Sequence, residues 1–294
     1  MKLNELVSFV INKNNFNKPE DYATFCSKYL EFIHENLQAV IVSKNENHYR
    51  FFQYKEDGNY NVTRPINSRL FISTDEFSDA SDMFVSSFDN LKEINIEERE
   101  NINKFVYTCQ QSIGATLDAL PSGKSNTARK INGDLFEKYI RLLIKKAGVD
   151  VDTGFFKVPV KVGDETLLTM TYQHDVIVKK DGEVKAIGSV KTSSKDRLDK
   201  IFIDKLFYNK LTDTNTPHFA VFLNDVQRKG DIRNYGINTT FLTGHFKGYT
   251  VKLSPLDGVY YCDLRPNMIS DNFLNKHIKS FDNLLTTDIW NFTD

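Results

Sequence analysis

His174-Asp175-Val176-Ile177-Val178-Lys179-Lys180-Asp181-Gly182-Glu183-Val184-Lys185-Ala186-Ile187-Gly188-Ser189-Val190-Lys191 is the stretch that decides the fold. The apolar runs Val176-Ile177-Val178 and 184–190 flank Asp181-Gly182, a dipeptide suited to the positive φ angles of a two-residue hairpin turn. Folding back there makes Asp175 and Lys191 neighbours. A carboxylate and an ammonium at adjoining strand ends form an arrangement that binds a divalent metal and sets a water against a phosphate. Lys191 ends an otherwise apolar strand, where burial without a partner would be costly.

The residues that follow predict a helix from about Lys195, with Ser193 or Ser194 as its cap, Asp196 in the first turn, and Leu198, Ile201, Phe202 and Leu206 at helical spacing. Arg197, Ile201, Asp204 and Tyr208 fall on one stripe of that helix, with Arg197 and Asp204 roughly 10 Å apart. If the tip enters a DNA groove, the carboxylate faces the backbone.

Asp175, Ser189-Val190-Lys191, Lys195-Asp196-Arg197 and Asp204 together resemble the PD-(D/E)XK type II restriction endonucleases, in the branch related to EcoRII that reads CC and GG dinucleotides. In that branch the acid two residues before the catalytic lysine is often a serine or another residue, and a carboxylate from the next helix, about thirteen residues past the lysine, replaces it; Ser189 and Asp204 fit the exchange. An Arg-(Asp/Glu)-Arg reader lies four to six residues past the lysine, which Lys195-Asp196-Arg197 matches except at its first position. An upstream helix often supplies a glutamate, and the segment ending in Asp134-Leu135-Phe136-Glu137 resembles it. The similarity covers roughly residues 120–225 of the chain. Asp204 stands where the family more often has glutamate, a mild change. Lys195 stands for arginine, and a lysine lacks the planar fork that binds guanine bidentately.

The resemblance implies a Mg²⁺-dependent endonuclease acting on double-stranded DNA at a short palindrome containing GG/CC. Asp175 and Asp204 would hold the metal, Glu137 would support it, and Lys191 would orient the attacking water. Glu183, Asp199 or Ser189 are the alternatives to Asp204 in completing the site. Lys195 and Arg197 would donate to guanine O6 and N7 while Asp196 accepts from cytosine N4. Asn224-Asp225-Val226-Gln227-Arg228, after a buried strand, exposes amide, acid and guanidinium groups suited either to base edges or to a plain turn. Cutting two strands of a two-fold site implies a C2 homodimer, with a cognate DNA methyltransferase as functional partner. A structure-specific repair or recombination nuclease, or a DNA-binding module that has lost catalysis, would use the same residues differently.

The 294 residues, 40% hydrophobic, suffice for one large core or two modest ones. No apolar run approaches a membrane span, and the first residues lack a signal-peptide pattern, so a cytoplasmic protein with no membrane partner is expected. Cys26, Cys109 and Cys262 lack metal-ligand spacing and read as buried thiols. A net charge of −1 does not announce a nucleic-acid binder, yet residues 179–210 hold nine Lys or Arg against five acids while 75–100 is acidic. Gly123-Lys124-Ser125 lacks the earlier glycine of a phosphate loop, Asp118 standing there. His174 has no His or Cys partner at zinc-ligand spacing and reads as structural.

Helices are expected over 3–10, 19–36, 97–120 and 132–147, and strands over 39–43, 48–54, 154–162, 166–178 and 218–223, with a turn at Asp57-Gly58. Strand-like runs follow at 238–242, 249–253 and 259–264, then a closing helix over 270–285. Pro121-Ser122-Gly123 marks the boundary between an N-terminal, mainly helical α+β region, 1–120, and a nuclease domain, 121–294. The fold class is α/β, a PD-(D/E)XK core with a mixed central sheet flanked by helices.

Overall fold

The computed structural model describes every residue except Met1, Asp57, Gly58, Asp196, Ile232 and Arg233. The turn expected at Asp57-Gly58 lies outside the described residues. The chain opens with α1 (Leu3–Ile11) and α2 (Pro19–Asn36), the latter started by Pro19 with Glu20 and Asp21 in its first turn, where fixed φ and negative charge favour a helix start. A small antiparallel sheet follows, β1 (Leu37–Val42), β2 (Tyr49–Glu56), β3 (Asn59–Val62) and β4 (Ile66–Asn67), with β2 paired to the other three. Then come α3 (Phe77–Ser87), α4 (Ile96–Leu117) and α5 (Ser125–Lys146). Asn95 and Glu98 cap α4 reciprocally, each side chain accepting from the other's backbone N–H at 3.0 and 2.8 Å.

The second half contains β5 (Asp150–Val162), β6 (Glu165–Lys180), β7 (Glu183–Ser193), α6 (Leu198–Thr212), β8 (His218–Asn224), β9 (Val226–Lys229), β10 (Gly236–Thr239), α7 (Thr243–Lys252), β11 (Gly258–Tyr261), α8 (Pro266–Ser270), β12 (Ile278–Ser280) and α9 (Ile289–Thr293). Six strands form one sheet in the order β12-β11-β8-β7-β6-β5. Pairing is antiparallel through β5, β6 and β7 and parallel from β7 to β12, so the sheet is mixed, as expected. Asp181 and Gly182 adopt φ of 54° and 81° and close the β6–β7 hairpin with Lys180 opposite Glu183.

Alternation along β8 divides the core. Phe219, Val221 and Leu223 face a large cluster with α2, α4 and α5, whereas Ala220 and Phe222 face α6 and α7 through Leu198, Ile201, Phe202 and Phe246. Gly188 is required where β7 crosses Phe219, since a Cβ there would collide with that ring and crowd Val176. The larger cluster runs without a break from Leu3 through α4 and α5 to Val176, Val190 and Leu285, so apolar packing continues across Pro121.

Three expectations are corrected. Residues 249–253 are not a strand but the end of α7, which turns Phe246 and Thr250 inward at helical spacing; a short Tyr-Thr-Val run does not distinguish the two periods. Residues 270–285 are not one helix, because the Asp271 carboxylate accepts from Phe273 and Leu274 N–H and turns the chain, after which β12 joins β11. The helix expected from Lys195 begins at Leu198, with Arg197 outside it. Ser193 instead extends β7 opposite Asn224, and the Ser194 hydroxyl meets Thr240 at 3.0 Å, so neither serine caps α6. Among the described residues no helix is long and apolar enough to cross a membrane, and all three cysteines are buried free thiols.

Candidate functional site

β6 and β7 part where the site lies. Their pairing runs from the hairpin turn to Val176 opposite Gly188 and stops, while β7 continues beside β8 as far as Ser193 opposite Asn224. Asp175 is the first residue of β6 past the last pair, and its carboxylate accepts from Val190 N–H at 2.9 Å, bracing the fork. Lys191 Nζ lies 2.5 Å from Asp175 Oδ2, as the hairpin predicted, and 2.8 Å from Glu137 Oε1 on α5. Their side chains retain 29% (Lys191), 14% (Asp175) and 23% (Glu137) exposure, so water reaches all three.

Glu137 comes from α5 on one face of the sheet, and Asp204 from α6 on the other. Burial pushes the Glu137 carboxyl up, with the neighbouring Asp175 charge adding and Lys191 opposing. Burial likewise raises Asp204, opposed by Lys200 and Lys191 and reinforced by Asp175, which ties Asp204 electrostatically to the same cluster. Burial works against the Lys191 charge, but the two carboxylates more than offset it, so Lys191 remains an ammonium. An ammonium has three donors, and two are engaged by Asp175 and Glu137. Among the described residues none takes the third, which is open to an oxygen of a substrate or a water.

Among the described residues no three acidic, histidine or cysteine side chains converge closely enough to form a ready ligand cage. Hard carboxylate oxygens on Asp175, Glu137 and Asp204 nonetheless suit Mg²⁺, which commonly takes one or two protein carboxylates and completes its shell with water and phosphate oxygens. Ser189 is half-buried on β7 two residues before Lys191, hence on the same strand face. Glu183 is bound to Lys185 beside the hairpin turn, and Asp199 faces His245 at 3.8 Å, so neither reaches the fork.

The residues expected to read bases lie between β7 and α6. Lys195 and Arg197 are exposed, and Lys195 Nζ donates to Gln227 Oε1 at 3.1 Å; Asp196 lies outside the described residues. Because Arg197 precedes α6, it does not share a helix face with Asp204 as the stripe predicted. The exposed turn expected over 224–228 is also corrected. Asn224 and Asp225 are buried, Asn224 Oδ1 accepting from Val226 N–H at 3.2 Å, while Val226–Lys229 is strand β9, paired to β10. Gln227 is half-buried and Arg228 exposed, donating to Val62 O at 3.3 Å.

Asp225 belongs to a second polar cluster. Arg265 donates to Glu46 at 2.5 Å and to the Tyr49 hydroxyl at 2.9 Å, and its Nε lies 3.7 Å from Asp225. Tyr49 donates to Asp263 at 2.7 Å, and Asn67 to the other Asp263 oxygen at 2.9 Å. Burial pushes the Asp225 carboxyl up to about 7, with Arg265 opposing and Asp263 adding. Sequence reasoning missed Arg265 and Asp263, and also Arg141, which donates to the Asp175 carbonyl at 2.7 Å. Arg141 was findable: it lies one helical turn past Glu137 on the same face.

No protein-family model matches the chain, and no curated protein matches it. Solved structures do. The type IIP restriction endonuclease Kpn2I superposes with a TM-score of 0.72 at 18% identity, over 99% of this chain and 97% of that one. A complex of restriction endonuclease PspGI with substrate DNA aligns at a TM-score of 0.43 and 12% identity, over 73% of this chain and 90% of that one. The fold is the PD-(D/E)XK fold, a mixed sheet flanked by helices.

Proposed function

We propose that this chain is a type II restriction endonuclease that hydrolyses double-stranded DNA at a short palindromic site containing GG/CC, as in the EcoRII-related branch. The observation that carries the reading is the contact of Lys191 with both Asp175 and Glu137 at the β6–β7 fork. Asp175, Asp204 and Glu137 would hold Mg²⁺, which when bound supplies charge neutralisation at the phosphate and a more acidic water. Lys191 directs its remaining donor at the attacking water or a phosphate oxygen and stabilises the charge that develops there. Asp175 holds Lys191 and, through Val190 N–H, keeps the two strands at a fixed opening.

Lys195 and Arg197, exposed beside the fork, donate to guanine edges, with Asp196 accepting from cytosine. Two copies acting on a two-fold site form a homodimer in the cytoplasm, and a cognate methyltransferase protects the host sequence. Residues 1–120 serve as an accessory region and 121–294 as the nuclease domain. Incubating the purified protein with plasmid and Mg²⁺ tests the reading. Discrete fragments whose ends map to one GG/CC-containing site are expected; smearing or nicking points to a structure-specific nuclease, and no cleavage to a binding module. An Asp204→Ala variant that still cleaves would remove Asp204 from the metal site and return Ser189 to consideration.

A further inference from the structure

The outward face of the β9–β10 hairpin presents two carboxamides that neither the fork chemistry nor the reader segment employs as base contacts. Gln227 and Asn238 are directly opposed in the antiparallel register, so their side chains stand together on one face, roughly 5 Å apart at Cβ. Both are half-buried. Lysine only donates, so the Gln227 atom 3.1 Å from Lys195 Nζ is its carbonyl oxygen, and the Gln227 NH₂ points elsewhere. Asn238 has no side-chain partner among the described residues, and its amide offers a donor and an acceptor side by side.

The hairpin is rigidly mounted. Its inner face packs Val226 and Ile237 on Tyr49 and Phe51 of β2. Asn45 grips Ile237 at both backbone groups, accepting from its N–H at 2.9 Å and donating to its carbonyl at 2.9 Å. Thr240 joins the hairpin to the residues after β7: its hydroxyl donates to Asp225 O at 2.8 Å and so accepts from the Ser194 hydroxyl at 3.0 Å. Lys195 is four residues past Lys191, at most about 14 Å of extended chain. With the Lys195 stem and the Gln227 side chain added, the amide pair lies within roughly 25 Å of Lys191, less than one turn of duplex DNA.

We propose that Asn238 is a specificity-determining residue whose carboxamide contacts adenine N6 and N7 in the major groove, in a base pair next to those read by Lys195 and Arg197, with Gln227 as its positioning neighbour. The proposal rests on the restriction-endonuclease reading. A side-chain amide matches adenine's adjacent donor and acceptor and no other base as well in the major groove. It also gives the N-terminal sheet a task, since β2 and Asn45 hold the hairpin against the reader segment.

The test is cleavage of a plasmid library randomised around the site by the wild-type protein, Asn238→Ala and Asn238→Ser, with surviving and cut sequences counted. Wild type is expected to prefer A·T at one position in each half-site, and both variants to lose that preference by about five- to a hundredfold while keeping the preference at the GG positions. Preferences are ratios within one digest, so a less active variant still reports; for a variant that does not cut, selection of bound duplexes from the same library gives the same ratios. A wild type with an unchanged A·T preference in both variants, or with GG selectivity and no A·T preference, overturns the role of Asn238 alone. A wild type with no sequence preference overturns the endonuclease reading and this inference with it.

Discussion

Two polar clusters stand at the carboxyl ends of neighbouring strands of the same sheet, and they are built to opposite ends. At the end of β7, Lys191 joins Asp175 and Glu137 in a group that stays partly solvated and, among the described residues, leaves one ammonium donor unengaged. Just past β8 and β11, Asp225 and Asp263 meet Arg265, Tyr49, Asn67 and Glu46; the Asp225 and Arg265 side chains are only 1% and 7% exposed. The first cluster has free bonding capacity facing solvent. The second is closed to solvent: its hydrogen bonds tie the N-terminal sheet to the six-stranded sheet, and Asp225 Oδ1 and Arg265 Nε, 3.7 Å apart, are buried without a hydrogen-bond partner among the described residues. Both contain acids beside a cation; access to solvent separates a candidate reaction site from a structural tie.

The largest effect expected is on turnover in the open cluster. Asp175→Ala should lower cleavage by at least about a thousandfold, some 4 kcal/mol of barrier, while leaving specific DNA binding measurable and the thermal midpoint within a few degrees of wild type. Retention of more than about a tenth of the wild-type rate would place Asp175 outside the chemistry.

In the closed cluster the effect should fall on stability instead. Arg265→Ala leaves Asp225, Asp263 and Glu46 without their shared cation, and should cost roughly 3–5 kcal/mol in urea unfolding. A loss below about 1 kcal/mol would mean the cluster is not a structural tie.

A slightly smaller signature is pH-dependent. The folded Asp225 carboxyl titrates at about 7, above its unfolded value, so its contribution is fully present below the unfolded pKa and is lost as pH rises through 7. Each tenfold difference in proton affinity between the folded and unfolded chain is worth about 1.4 kcal/mol, so the loss reaches at most about 4 kcal/mol. His218 slopes the other way: burial lowers it to about 4, so its contribution is present above the unfolded value near 6.5 and lost as pH falls toward 4. The readout is therefore the difference between wild type and Asp225→Asn, which should narrow the pH-dependent loss between about pH 4 and 8. Parallel curves for the two proteins would contradict a buried, titrating Asp225.

The smallest effect is expected at the rim. Arg197→Ala should weaken cognate binding by about 1–3 kcal/mol with little change on random DNA. Equal losses on both would leave Arg197 as a phosphate contact.

What could be read in the chain follows contact range. Asp175 and Lys191 were legible because Asp181-Gly182 folds adjacent residues onto each other. The register of that hairpin is local chemistry. Glu137 entered only through family similarity, for nothing near residue 137 indicates that α5 will lie against β7, yet the contact is made. Asp225 misled because an acid after a buried strand looks like a turn; its partner Arg265 is 40 residues away and joined through β11, a pairing no local pattern encodes. Ser193 and Ser194 look like helix caps for the same reason, and tertiary contacts with Asn224 and Thr240 took precedence.

The measurement that bears most directly on the central claim is single-turnover cleavage of cognate DNA in Mg²⁺ by wild type and by Lys191→Met, which keeps the length of the stem and removes the charge. Wild type is expected to cut discretely and only with metal, and Lys191→Met to react at least about a thousandfold more slowly with unchanged DNA affinity and thermal midpoint. A Lys191→Met protein that cuts at a rate near wild type would contradict a reaction centred on the β6–β7 fork.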